Sequence, residues 1–120
     1  MGNKITFIWE TKKGEFYNKD KKDKNFSVDW GDGEKTFHLL EELSDDIENN
    51  TSHKYKKKKN YTVVVESEDY CFLEFDICNT GLSKLDVSEY KSLKFLDCWD
   101  NQLTNLDISK NIELFFFMVY

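Results

Sequence analysis

Written one above the other, CFLEFDICNTGLSKLDVSEYK (71–91) and SLKFLDCWDNQLTNLDISKNI (92–112) align without a gap at a spacing of 21 residues. Leu82 meets Leu103, Leu85 meets Leu106, Asp86 meets Asp107, Val87 meets Ile108 and Ser88 meets Ser109. A third copy begins with Leu114 over Leu93 and Phe117 over Leu96. One such copy cannot bury its own apolar face, so neighbouring copies must stack to make a continuous core. The period therefore assigns core positions to Phe72, Phe75, Ile77, Leu82, Leu85, Val87, Leu93, Leu96, Leu103, Leu106, Ile108, Leu114 and Phe117. Asp86 with Ser88, and Asp107 with Ser109, are placed to cap turns through side chain to backbone hydrogen bonds.

The middle copy, LKFLDCWDNQL, spells L-x-x-L-x-C-x-x-N-x-L at Leu93, Leu96, Cys98, Asn101 and Leu103. It resembles the leucine-rich repeat, and in particular the 21-residue LDVS and NQLT repeats that follow PKD-like domains in bacterial surface proteins. The resemblance implies a strand on a concave face in each copy, an Asn that satisfies turn backbone, and a return on the convex side. Cys98 takes the apolar slot that Ile77 fills one copy earlier, whereas Cys78 aligns with Trp99 outside the core.

The first half has a different texture. KITFIWE alternates and is rich in β-formers, and NYTVVVESE is the clearest strand in the chain. Between them, TKKGEFYNKDKKDKN reads as a polar turn region around Gly14, Asn18 and Asp20. FSVDW alternates again, with Phe26, Val28 and Trp30 on one face, and EKTFHL is its expected hairpin partner. The spacing of Leu40, Leu43 and Ile47 predicts a short amphipathic helix over 39–47.

WGDG is what a tight turn needs, with Asp to accept backbone hydrogen bonds and Gly to supply positive φ. A chemical use would make Asp29 and Asp32 metal ligands or an acid/base pair. Yet Asp29 lies on the strand face opposite Val28 and Trp30, and the oxygen ligands of a calcium loop are missing. FSVDWGDG followed by SHKYKKKKNYTVVV resembles the polycystic-kidney-disease (PKD) repeat at Trp30, Gly31, Asp32, Gly33, His53, Tyr55, Tyr61 and Val63. That resemblance implies a small immunoglobulin-like β-sandwich used as a spacer or adhesion module, without catalysis. The expected architecture is mainly β, with a PKD-like sandwich and one short helix over 1–69, continuing into a short leucine-rich stack over 70–120.

Candidate binding residues are the strand slots between the core positions: Glu74, Asp76, then Phe95, Asp97 and Trp99, then Phe116, Met118 and Tyr120. In a stacked array these slots form the ligand surface. Here they make an aromatic column edged by carboxylates, the composition of a protein-binding hot spot. The same aromatics could instead pair two copies of the chain along the C-terminal strand edge, or pack on the first half. The run KYKKKK places Lys54, Lys56, Lys57, Lys58 and Lys59 in an expected loop, a solvated cluster or a polyanion contact.

Composition narrows the function classes. The 120 residues carry a net charge of −6, which opposes nucleic-acid binding except within a larger complex. No apolar run is long enough to span a bilayer, and no signal peptide precedes the first strand. The three cysteines and the lack of a leader fit reduced thiols and a cytoplasmic location, or an extracellular one if the chain is a piece of an exported protein. His38 and His53 match no zinc spacing with the cysteines, no phosphate loop or hydrolase elbow occurs, and no cofactor or metal is expected. The sequence thus reads as a non-enzymatic interaction module. Small size, acidity and the absence of Pro, Ala and Arg, which points to AT-rich codons and a bacterial or phage source, also suit a phage or mobile-element inhibitor of a host defence nuclease, of anti-CRISPR type.

Overall fold

The computed structural model describes residues 3–21, 25–38, 46–67, 72–114 and 116–119. These form β1 (Lys4–Lys21), β2 (Phe26–Asp29), β3 (Lys35–His38), β4 (Asp46–Ser67), β5 (Phe72–Asp76), β6 (Leu82–Asp86), β7 (Phe95–Cys98) and β8 (Phe116–Val119). All eight belong to one hydrogen-bonded sheet, ordered β3-β2-β4-β1-β5-β7-β8, with β6 also paired to β1.

A straight strand of β4's 22 residues would run to about 70 Å at roughly 3.3 Å per residue. The longest dimension of the molecule is 37 Å, so the long strands must double over. They do so where the β1–β4 register breaks: one residue of β1, Lys12, faces residues 55–58 of β4. The fold brings Phe7 and Phe16, both in β1, to a ring separation of 6.2 Å, and Phe75 of β5 packs on both. Tyr55 pins the break from inside, accepting from Trp9 Nε1 (3.0 Å) and donating to the Trp30 carbonyl (2.7 Å).

The eight strands thus make a mainly β structure of one open sheet folded on itself. Its first layer holds β6, the start of β1, the end of β4, β2 and β3; the second holds the start of β4, the end of β1, β5, β7 and β8. Both halves of the chain contribute to it, because β5 and β6 pair with β1. Ile5, Phe7 and Trp9 from one layer and Phe16, Phe72 and Phe75 from the other are buried in a shared core.

Two local expectations change. The stretch read as turns around Gly14 and Asn18 is the second half of β1. There Asn18 is buried and accepts from Thr51 Oγ1 at 3.0 Å, so a β4 partner holds as strand what the local sequence marks as turn. The helix over 39–47 falls largely outside the described residues, and its last residue, Ile47, pairs with Asp20 inside β4. Among the described residues there is no helix, hence none long and apolar enough to cross a membrane.

The hairpin β2–β3 forms as expected, with Asp29 opposite Lys35. Asp29 Oδ1 accepts from the Gly31 N–H, Asp32 Oδ1 from the Glu34 N–H, and Gly31 and Gly33 take φ of 84° and 95°. Phe26, Val28 and Trp30 are all buried.

The 21-residue period is visible in the hydrogen bonds. Glu74 pairs with Phe95 and Phe95 with Phe116, so β5, β7 and β8 run parallel in the register of the sequence repeat. Positive φ recurs at Asn79 and Asp100, and the Tyr90 N–H to Val87 carbonyl bond recurs as Asn111 to Ile108. Asp86 and Asp107 each accept from the N–H two residues on, at 2.9 Å. Asn101 stitches copy to copy: Oδ1 accepts from the Thr80 and Leu82 N–H groups, and Nδ2 donates to the carbonyls of Ile77 and Cys98. Of the assigned core positions, those from Phe72 to Leu96 are buried, while Leu103, Leu106, Ile108 and Leu114 pack against the core partly exposed. The side chain of Phe117 lies outside the described residues.

Candidate protein-binding face

Alternation in β5 and β7 decides which side chains leave the core. Phe75, Leu96 and Cys98 point inward and are buried, so Glu74, Asp76, Phe95 and Asp97 stand on the other side of the second layer, each part-exposed; the irregularity in the β1–β5 ladder between Lys19 and Asp20 breaks the alternation at Leu73 and lets Phe72 face the core as well. Trp99, just past β7, is 49% exposed, while Trp9 and Trp30 are fully buried.

Register extends this face over β1. Tyr17 lies opposite Asp76 and Lys19 opposite Glu74, both part-exposed. The face thus carries two rows across the strands, Lys19–Glu74–Phe95 and Tyr17–Asp76–Asp97, with strands about 4.8 Å apart. Backbone register puts Phe116 beside Phe95 and Met118 beside Asp97, and their side chains lie outside the described residues. Tyr120 lies outside them as well. Glu74, Asp76, Phe95, Asp97 and Trp99 are expected from the sequence to lie outside the core, and register adds Tyr17 and Lys19 beside them. Only the alternation of Phe16 and Asn18 against Tyr17 and Lys19 could have signalled them.

The carboxylates of the face are unequal. Burial pushes the Asp76 carboxyl up to about 8, helped by a hydrogen bond with Glu74 and by the charges of Glu74 and Asp97. Asp76 Oδ1 is buried without a hydrogen-bond partner. Near neutral pH this group holds its proton for much of the time. Asp97 is positioned by its own turn, with Oδ1 accepting from the Trp99 N–H at 3.1 Å and from Cys78 Sγ at 3.5 Å. Burial, against a lowering backbone hydrogen bond from Trp99, raises the Cys78 thiol to about 11, and burial raises Cys98 to about 12.

The lysine run is a second, separate cluster and not a loop. Lys54, Lys56, Lys57, Lys58 and Lys59 all belong to β4, exposed around the register break. Tyr55 turns inward between them, and Lys59 Nζ sits 5.7 Å from the Tyr61 ring. Lys54, Lys56, Lys57 and Lys59 share a cleft of ≈ 390 Å³ with Asp32 and Glu34, so carboxylates offset part of the positive charge there.

Asp32, Glu34 and His53 bring their ligand-type atoms within 4.8 Å of one another. The arrangement is explained without an ion. His53 stacks on Trp30 at 4.8 Å and its Nε2 lies 2.8 Å from Asp32 Oδ2, tying the turn to β4. Burial raises the Asp32 carboxyl, but the hydrogen bonds from His53 and the Glu34 N–H outweigh it and hold the group below its usual value. Four lysines at the rim repel a cation.

No known protein family, curated protein or solved structure matches this chain.

Proposed function

We propose that the chain is a non-catalytic protein-binding module, and that its working surface is the outer face of β1, β5 and β7. The observation that carries this reading is Trp99, half-exposed beside Phe95 and Asp97 on a face whose other side is core. Aromatic residues in contact with solvent and rimmed by carboxylates are the usual make-up of an interface hot spot. The sequence resemblance to PKD and leucine-rich modules, which bind or space and do not catalyse, supports the same reading. Burial raises the thiols of Cys78 and Cys98 to about 11 and about 12, which favours binding over nucleophilic chemistry at these two residues.

The test is affinity capture from a lysate of the source cell with wild type and Phe95→Asp/Trp99→Asp, with identification of the retained protein. The expected result is one specific partner that the double variant loses at an unchanged melting temperature. Capture that survives the substitutions would move the working surface elsewhere.

A second reading rests on β8, which among the described residues has one neighbour, β7, in the strand order. An edge strand of this kind is a place where a second copy of the chain can pair. Light scattering that shows a dimer insensitive to Phe95→Asp/Trp99→Asp would favour this edge over the face.

A further inference from the structure

The face described above is chemically lopsided, and its pattern specifies the kind of group that completes it. Phe95 and Asp97 alternate outward along β7 and the exposed Trp99 follows just past its end, so one carboxylate stands in sequence between two aromatic side chains outside the core. Glu74 lies across the ladder from Phe95, and Asp76 across from Asp97. Lys19 is the cation of the row, opposite Glu74 and away from the Trp99 end. Next to Trp99, Asp100 is exposed and adds negative charge to that end.

Resting on the reading of this face as a protein-binding surface, we propose that its occupant is an extended basic segment of a partner. An arginine or lysine side chain of that segment pairs with Asp97 and lies against Trp99 and Phe95. Three features support this occupant over an apolar or acidic one. The outward carboxylates repel an acidic segment, and a purely apolar one would strip water from Glu74 and Asp97 without compensation. A cation held over an indole gains from the ring quadrupole, and most so when partly desolvated. Asp97 is preorganised, since the Trp99 N–H and Cys78 Sγ fix its Oδ1. A guanidinium suits such a carboxylate better than an ammonium, because its planar fork can bond and stack at once.

Two synthetic peptides test this, an extended decapeptide with central arginines and the same peptide with citrulline, which keeps the shape and removes the charge. Acrylamide quenching of tryptophan emission reads the site, since Trp99 is exposed while Trp9 and Trp30 are buried. The expected result is protection of Trp99 by the arginine peptide, at least about tenfold tighter than by the citrulline peptide, and weaker with added salt. Asp97→Asn should remove about tenfold of that affinity. Asparagine keeps an Oδ1 acceptor for the Trp99 N–H, so this variant deletes the charge and not the turn. Glu113→Gln, an exposed carboxylate off the face, changes net charge equally and should leave binding unaltered.

Equal binding of both peptides, equal loss in Glu113→Gln, or no binding at all would overturn the proposal. So would salt-sensitive self-association of the wild type that Asp97→Asn abolishes, because the occupant would then be the lysine run of a second copy. Failure here is separable from failure of the face itself. A captured partner lost by Phe95→Asp/Trp99→Asp but retained by Asp97→Asn leaves the face standing and removes its cationic occupant.

Discussion

The indole of Trp9 lies directly over Gly14, five residues further along the same strand. A Cβ built on Gly14 would fall 2.1 Å from Trp9 Cζ2 and 2.3 Å from Cη2. This contact is available only because β1 folds back at the register break between Thr11 and Lys13, and only because position 14 has no side chain. The ring in turn holds Tyr55 through its Nε1 and stacks on Trp30 at 6.2 Å, so both layers meet on it.

Gly14→Ala is therefore expected to destabilise the chain by about 3 kcal/mol, the upper end of ordinary overpacking costs, because a buried indole cannot swing away. Urea denaturation measures it. The loss should shrink in a Trp9→Phe background, where the clashing atoms are gone, although that variant pays for its own cavity. A Gly14→Ala chain within about 0.5 kcal/mol of wild type would mean that β1 relaxes freely at the bend.

Asn101 is the next position where one side chain holds several backbone groups. Its amide serves the N–H groups of Thr80 and Leu82 and the carbonyls of Ile77, Cys98 and Trp99. Asn101→Ala should cost about 2–4 kcal/mol, since more than one part-buried backbone group loses its partner at once. Asn101→Asp keeps the acceptor and loses the donor, and should fall between the two in thermal melts. Equal stability of all three chains would show that water replaces the amide without cost.

What the sequence disclosed and what it hid follow from the range of the interactions. The 21-residue period gave the register of β5, β7 and β8, because a repeat states its own neighbour. Turn chemistry gave the β2–β3 hairpin, since Asp29, Asp32 and both glycines act on backbone two residues away. By contrast, Gly14 and Asn18 look like turn residues until Trp9 covers one and Thr51, 33 residues on, bonds the other. The doubling of the sheet depends on Tyr55 reaching Trp9 across 46 residues, which no local pattern reports. Tyr17 and Lys19 escaped for the same reason, since only pairing with β5 brings them beside Asp76 and Glu74.

Thiol chemistry gives a third check. Burial raises Cys98 to about 12 and Cys78 to about 11, so neither forms appreciable thiolate at neutral pH. In a Cys71→Ser chain, which removes the one cysteine outside the described residues, iodoacetamide at pH 7.5 should label neither residue on the timescale that labels a small free thiol. Both should react once the chain is unfolded in urea. Rapid native labelling of Cys78 would contradict its packing against Asp97.

The clearest pH signature belongs to Asp76. Its carboxyl has an ordinary value of 3.8 and stands at about 8 in the folded chain, through burial first and then the neighbouring Glu74 and Asp97. Between those two values the folded chain keeps a proton that the unfolded chain has released. Stability therefore falls as pH rises through this window, and the penalty is complete only above the folded value. Asp76→Asn has no proton to lose, so its advantage over wild type should grow from pH 4 to pH 8, by at least about 1.4 kcal/mol, the equivalent of one pKa unit. Glu74→Gln should show a smaller version of the same trend, since it removes one of the two charges that hold the proton on Asp76. Melting curves at pH 4, 6 and 8 for the three chains are sufficient. If Asp76→Asn and wild type lose stability in parallel across that range, the proton is not shared on this face, and Asp76 is ionised beside Asp97 at neutral pH.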